Sequence, residues 1–120
     1  MKKLFLVLLV CFGFTAFSQE TIIASQAKGF VGKDVFLVGK VAGSKQMISK
    51  SDQPILFINI DQDYPDNEIV IVVFSEVLSK LKFTETALSG KTIKVKGKVG
   101  IFKEKPQIIL ENEANLTIEK

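Results

Sequence analysis

The sequence has no histidine, no arginine and no tryptophan, and its one cysteine is Cys11. Without histidine the commonest general base is missing, and beyond position 11 there is neither a thiol nucleophile nor a soft metal ligand. Ser–His and Cys–His pairs are thereby excluded. Serine and lysine are plentiful, but no pair of them sits in a recognisable catalytic motif. The expectation is a protein that is not an enzyme and carries no cofactor. The lack of arginine removes the commonest reader of guanine and argues against sequence-specific readout of nucleic acid.

The chain opens with the basic Met1-Lys2-Lys3, continues with an apolar stretch from Leu4 to Phe14, and places small residues at Ala16 and Ser18. This is the pattern of a secretory signal peptide, expected over residues 1–18 with cleavage after Ser18. The apolar stretch falls short of the ~20 residues of a bilayer span, so no membrane span is expected after cleavage. Cys11 follows Val10, where a lipobox has a small residue, and reads as filler of the apolar stretch. Residues 19–120 are then one domain, secreted or periplasmic, of a length that can bury a single core. That domain has no cysteine, so packing and hydrogen bonds hold it together rather than disulfides.

Loss of Lys2 and Lys3 on processing takes the formal charge from +3 to +1. The remaining charge is uneven. Lys91, Lys94, Lys96, Lys98, Lys103 and Lys105 face only Glu104 in sequence, whereas Asp61, Asp63, Asp66 and Glu68 cluster without a nearby lysine. A lysine stripe of this kind steers polyanions locally even at small net charge.

What the sequence does contain is a repeat. Gly32-Lys33-Asp34-Val35-Phe36-Leu37-Val38-Gly39-Lys40-Val41 returns as Gly90-Lys91-Thr92-Ile93-Lys94-Val95-Lys96-Gly97-Lys98-Val99, with five positions identical. Each copy starts on a Gly-Lys turn, alternates apolar residues with period 2, and carries a late glycine where a strand can bend or bulge. Between the copies the pattern predicts a polar loop at 43–53, a strand at 55–60 introduced by Pro54, and a turn through Asp61 to Asn67. An apolar strand follows at 69–74, then a short helix capped by Ser75 with Val77, Leu78 and Leu81 on one side. The first strand is expected at 34–42, the fourth at 91–99, a hairpin at 100–106, the fifth at 107–110, and a final strand or extension through Leu116 and Ile118. Residues 19–23 form a short lead, and Ser25 caps a helical turn ending at Gly29.

Five strands with a helix between the third and fourth is the order of the OB-fold, a partly open Greek-key barrel. The fold class expected is therefore all-β, a five-stranded OB-fold barrel. The repeat alone also allows a sandwich or another small barrel.

Several local patterns point the same way. These are Ala27-Lys28-Gly29-Phe30-Val31-Gly32-Lys33 leading into Val35 and Gly39-Lys40-Val41; Asn59 with Asp63-Tyr64-Pro65-Asp66-Asn67; Val73-Phe74; Gly90-Lys91 through Gly97; and Phe102-Lys103, Lys105-Pro106 and Ile108-Ile109. Together they resemble secreted bacterial OB-fold domains assigned to nucleic-acid binding, with a fold like that of tRNA-anticodon-binding domains, some fused to or encoded with extracellular nucleases. The resemblance spans nearly all of residues 19–120 and implies fold more than ligand. Glu104 departs from it, standing where the hairpin usually has a turn residue.

An OB-fold binds oligomers on the outer face of its second and third strands, between the loops joining strands one to two and four to five. With Leu56, Ile58 and Ile60 facing the core, alternation places Phe57 and Asn59 outside, beside Val70 and Val72. Phe57 is expected either to stack on a base or to be capped by the N-terminal segment. The loops contribute Lys40, Lys45 and Lys50 on one side, and Phe102, Lys103 and Lys105 on the other, as phosphate contacts with one aromatic. The expected partner is single-stranded nucleic acid or another polyanion. The alternatives are a cell-envelope protein partner, or an oligosaccharide or cation held at the acidic turn. The Asp61, Asp63, Asp66 and Glu68 spacing fits no EF-hand loop, so no metal is assigned there.

Overall fold

A computed structural model describes residues 19–82 and 85–119. The expected signal peptide, residues 1–18, lies outside the described residues. Among the described residues the strands number seven: β1 (Glu20–Ile22), β2 (Asp34–Ile48), β3 (Pro54–Ile60), β4 (Val70–Val73), β5 (Thr92–Phe102), β6 (Lys105–Ile109) and β7 (Leu116–Ile118). Helical turns at Ser75–Leu78 and Glu85–Leu88 separate β4 from β5, and 3-10 turns occupy Ala24–Phe30 and Glu113–Asn115.

The pairings run β1-β2-β3-β4-β6-β5-β7, with a further pairing of β2 with β5. That last contact makes a closed circuit of β2, β3, β4, β6 and β5, in which only β4 and β6 are parallel neighbours. These are the five strands expected from the sequence. β7 answers to the expected final extension, and β1, a parallel partner of β2, is an addition. Three residues are too few for a period-2 pattern to show, yet β1 brings Ile22 into the core at 2% exposure.

The repeat has a common physical cause. β2 pairs with β5 from Asp34 to Lys40 and with β3 from Val41 onward, while β5 pairs with β2 from Thr92 to Lys98 and with β6 from Val99 onward. Each copy is the stretch in which one strand changes partner. In each, a neighbouring isoleucine methyl occupies the space a Cβ would need: Ile60 Cγ2 over Gly39, and Ile108 Cγ2 over Gly97. Only glycine lets the strand turn this closely around a β-branched core residue. Ile60 and Ile108 are both fully buried, in a core shared with Leu37, Val95, Ile58 and Ile71.

Two boundaries differ from expectation. β2 does not stop at Ala42; it passes a register irregularity between Val41 and Gly43 and continues beside β3 to Ile48, leaving a loop of only Ser49–Gln53. Gly43 to Gln46 is polar on both faces, so the ladder with β3 rather than a buried face keeps it extended. The β5–β6 hairpin likewise tightens to Lys103 and Glu104, both with positive φ (51° and 67°). Two successive left-handed residues suit the right-handed twist of the flanking strands, as in a type I′ turn. The expected plug helix is two single turns instead. Phe74, not Ser75, holds the N-cap position of the first and makes no side-chain cap, while Val77, Leu78 and Leu81 pack on the core as expected.

Candidate functional site

The outer face of β3 and β4 is built in rows fixed by strand register. Lys45 on β2 lies opposite Phe57 on β3, which lies opposite Val72 on β4, which pairs with Ile109 on β6. The neighbouring row reads Gly43, Asn59, Val70, Gln107 and Gly100. Met47 and Ile55 form a row on the other side. Leu56, Ile58 and Ile60 point inward, so the expected alternation of β3 holds, and Phe57 is half-buried on the outer side.

The Gly43–Asn59 end of the Asn59 row is covered. The turn Asp61 to Asn67 folds back over it, and Asp63 sits so close above Gly43 that a Cβ there would meet its carboxylate. Asn59 is 6% exposed; its Nδ2 donates to Asp63 Oδ1 (2.9 Å) and its Oδ1 accepts from Asn67 Nδ2 (3.0 Å). Asn67 Nδ2 also donates to the Ile69 carbonyl (3.2 Å). Lys105 completes the network from β6. Its Nζ donates to the Pro65 carbonyl and to Asn67 Oδ1, both at 3.0 Å, and lies 5.5 Å from the centre of the Tyr64 ring. The acidic turn without a sequence-adjacent lysine thus meets one in space. Asn59 has the outer-face position expected of it, but both its side-chain atoms and the Lys105 ammonium are engaged by the turn.

The other expected residues fall into three places. Lys45 and Phe57 are direct cross-strand partners, with Lys50 in the loop at the tip of their hairpin. Phe102 is 58% exposed at the tip of the β5–β6 hairpin, on the outward side with Lys105, and Lys103 Nζ lies 5.4 Å from its ring centre. Lys40 stands apart at the partner-changing corner of β2. There its backbone N–H donates to Asp61 Oδ1 (3.1 Å) and its carbonyl accepts from the Asp61 N–H (2.7 Å). The β5 stripe lies on the β2–β5 side of the circuit, where Lys94 Nζ rests 4.8 Å above the Phe36 ring.

Of the acidic residues, Asp61 and Asp63 hold the turn with their carboxylates. Asp63 Oδ1 also accepts from the Tyr64 N–H (2.9 Å), and among the described residues no group of three or more carboxylates comes together as a metal site. Nor does any buried side-chain nitrogen or oxygen among them lack a hydrogen-bond partner.

Three apolar residues belong to this face that sequence reasoning left out: Met47, Phe74 and Ile109, 48%, 44% and 40% exposed. Ile109 sits in the run Ile108-Ile109-Leu110, where alternation is invisible. Met47 fell within the expected loop. Phe74 follows Val72 by two positions, and that spacing is the signal that could have found it.

A closed five-strand circuit with these connections matches the Greek-key order of the OB-fold. Among solved structures the chain is similar to a chain of yeast Stn1 and Ten1, with TM-score 0.61 and 12% identity over 87% of this chain and 64% of that one. The chain has the OB-fold. A protein assigned as an aspartyl-tRNA synthetase from Leishmania major is similar at TM-score 0.51 and 12% identity, over 85% of this chain and 21% of that one. The second OB-fold domain of replication protein A from Methanococcus maripaludis gives TM-score 0.47 and 15% identity, over 82% of this chain and 96% of that one. The OB-fold chain described here thus spans less than two thirds of each of the first two. No protein-family model and no curated protein matches the sequence.

Proposed function

We propose that this OB-fold is an exported binding module for single-stranded nucleic acid, of low sequence specificity and without catalytic activity. The observation that carries the reading is the cross-strand pair Lys45 and Phe57 on the outer face of β3, with Ile109 exposed beyond a buried Val72 (5%) in the same row. A ring with a cation directly across the ladder from it offers a base its face and the adjoining phosphate a charge. Phe102 with Lys103 repeats the pairing of ring and cation at the second hairpin. An apolar platform has no donors or acceptors with which to tell bases apart, which supports low specificity. Export rests on the signal-peptide pattern of residues 1–18. Among the described residues no helix is long and apolar enough to cross a membrane.

The test is fluorescence anisotropy of labelled single-stranded DNA, single-stranded RNA and duplex DNA at low and physiological salt. Single strands are expected to bind more tightly than duplex, with affinity falling steeply as salt rises and by roughly tenfold or more on Phe57→Ala, the loss of one stacked base. Absence of binding at low salt refutes the reading. A second reading is favoured by Met47, Ile48 and Phe74, exposed at 48%, 61% and 44%. These suit an envelope protein partner, whose binding would change little with salt.

A further inference from the structure

The platform makes no use of the outer face on the β2–β5 side of the circuit, where the lysine stripe lies. Strand pairing fixes which side chains share that face: Phe36 lies opposite Lys96, Val38 opposite Lys94 and Asp34 opposite Lys98. The residues between them, Val35, Leu37, Ile93 and Val95, are buried, so alternation sends the three lysines outward. They occupy every second position of one strand, their Cα atoms about 6.8 Å apart. Thr21 and Thr117 widen the face, paired with Phe36 and Lys94. Its acidic residues stand at the two ends, Asp34 at one and Glu119, whose N–H donates to the Thr92 carbonyl (2.8 Å), at the other. Among the described residues no carboxylate holds Lys94, Lys96 or Lys98; Lys94 rests over the Phe36 ring instead.

We propose that this face is a second nucleic-acid surface, one that holds the phosphate backbone of a duplex. The inference rests on the reading of the chain as a nucleic-acid-binding module but uses no residue of the platform. The face offers ammonium groups and hydroxyls without a ring for a base, because its aromatic, Phe36, is half-buried beneath Lys94. Contacts of that kind position a backbone and read no sequence. They favour the form with the denser charge: a duplex carries one phosphate per ~1.7 Å of axis, against ~3.4 Å for one of its strands. The platform selects the other way, since a base must be unpaired to stack on Phe57. A bilayer suits the face less well, because Phe36 and Val38 are half-buried and leave little apolar surface to enter it. The β2–β5 and β3–β4 faces look out from different sides of the closed circuit. Duplex and single strand can therefore be held together, as at the junction between them.

The test compares the parent with Lys94→Gln/Lys96→Gln/Lys98→Gln and with a control, Lys28→Gln/Lys80→Gln/Lys82→Gln, which loses the same charge from exposed lysines on other elements. In anisotropy at low salt, a labelled blunt duplex is expected to bind parent and control alike and the face variant roughly tenfold or more weakly. The slope of log affinity against log salt is expected to fall by about 2 to 3 in the face variant, for up to three phosphate contacts. Labelled oligothymidylate is expected to bind the two variants equally, and unlabelled duplex is expected not to displace it from the parent, a measurement that needs no variant. Equal loss of duplex affinity in the face variant and the control overturns the proposal, as does displacement of one probe by the other. So does absence of duplex binding at low salt; phosphatidylglycerol vesicles bound in its place would assign the face to a membrane. If oligothymidylate fails to bind, the platform reading falls, while duplex binding that depends on the three lysines still upholds this face.

Discussion

Lys105 shows how the turn network divides the lysines around the face into two kinds. Replacing it by methionine keeps the apolar stem and removes the ammonium, leaving the Pro65 carbonyl and Asn67 Oδ1 without the donor that reaches each at 3.0 Å. Asn67 is 3% exposed, so water replaces that donor poorly. Hydrogen bonds from a charged group contribute ~1.5–3 kcal/mol. Lys105 itself is only half-buried, which weakens its share, and about 2 kcal/mol is the expected loss for the pair. For a domain of about 100 residues that loss lowers Tm by roughly 10 °C. Urea unfolding of Lys105→Met against the parent measures it directly. The same variant is expected to leave the salt dependence of single-strand binding as it was, because the turn holds the ammonium in place through two of its N–H donors and keeps it from reaching a phosphate. Lys45→Met, by contrast, is expected to leave stability within about 0.5 kcal/mol and to reduce the slope of log affinity against log salt by about 0.7, one phosphate contact. A Lys105→Met protein as stable as the parent to within about 0.5 kcal/mol, or one whose salt slope falls as Lys45→Met does, refutes the division.

Three further outcomes follow from the packing. Gly97→Ala drives a Cβ into Ile108 Cγ2 and is expected to cost about 1–3 kcal/mol, partly restored by Ile108→Leu, which removes the β-branch methyl; chemical denaturation of the single and double variants checks this, and full tolerance of the alanine counts against the corner. Glu104→Gly relieves a non-glycine left-handed residue at φ 67° and is expected to raise stability by about 1 kcal/mol, read as a higher urea midpoint at unchanged slope. Asp63→Ala strips the acceptor from Asn59 Nδ2 in a nearly closed site and is expected to cost ~1–3 kcal/mol, with faster amide exchange at Tyr64, whose N–H bonds the same oxygen.

How much of this could be read from residues alone depends on the range of the interaction concerned. The partner-changing strands were legible because each writes its alternation and its glycine into ten consecutive residues, twice. The inward set Leu56, Ile58 and Ile60, and hence the outward Phe57, followed from period 2. β2 beyond Val41 was not legible, since a polar stretch held by a neighbouring strand has no pattern of its own. The turn network left no trace either. Lys105 reaches Asn67 and Pro65 across 38 and 40 positions of sequence, and nothing near Asn59 announces that a loop will close over it.

The longer of the circuit's two seams between distant stretches of chain is the pairing of β2 with β5, from Asp34 opposite Lys98 to Lys40 opposite Thr92; the other is β4 with β6. The hairpins β2–β3 and β5–β6 close through loops of a few residues and can form on their own timescale. The β2–β5 seam must first bring together strands separated by everything between them, and that loop-closure entropy falls due before its contacts repay it. The slow event of folding is therefore the joining of the two repeat copies to each other, and the glycine corners are the places where that event has to be right.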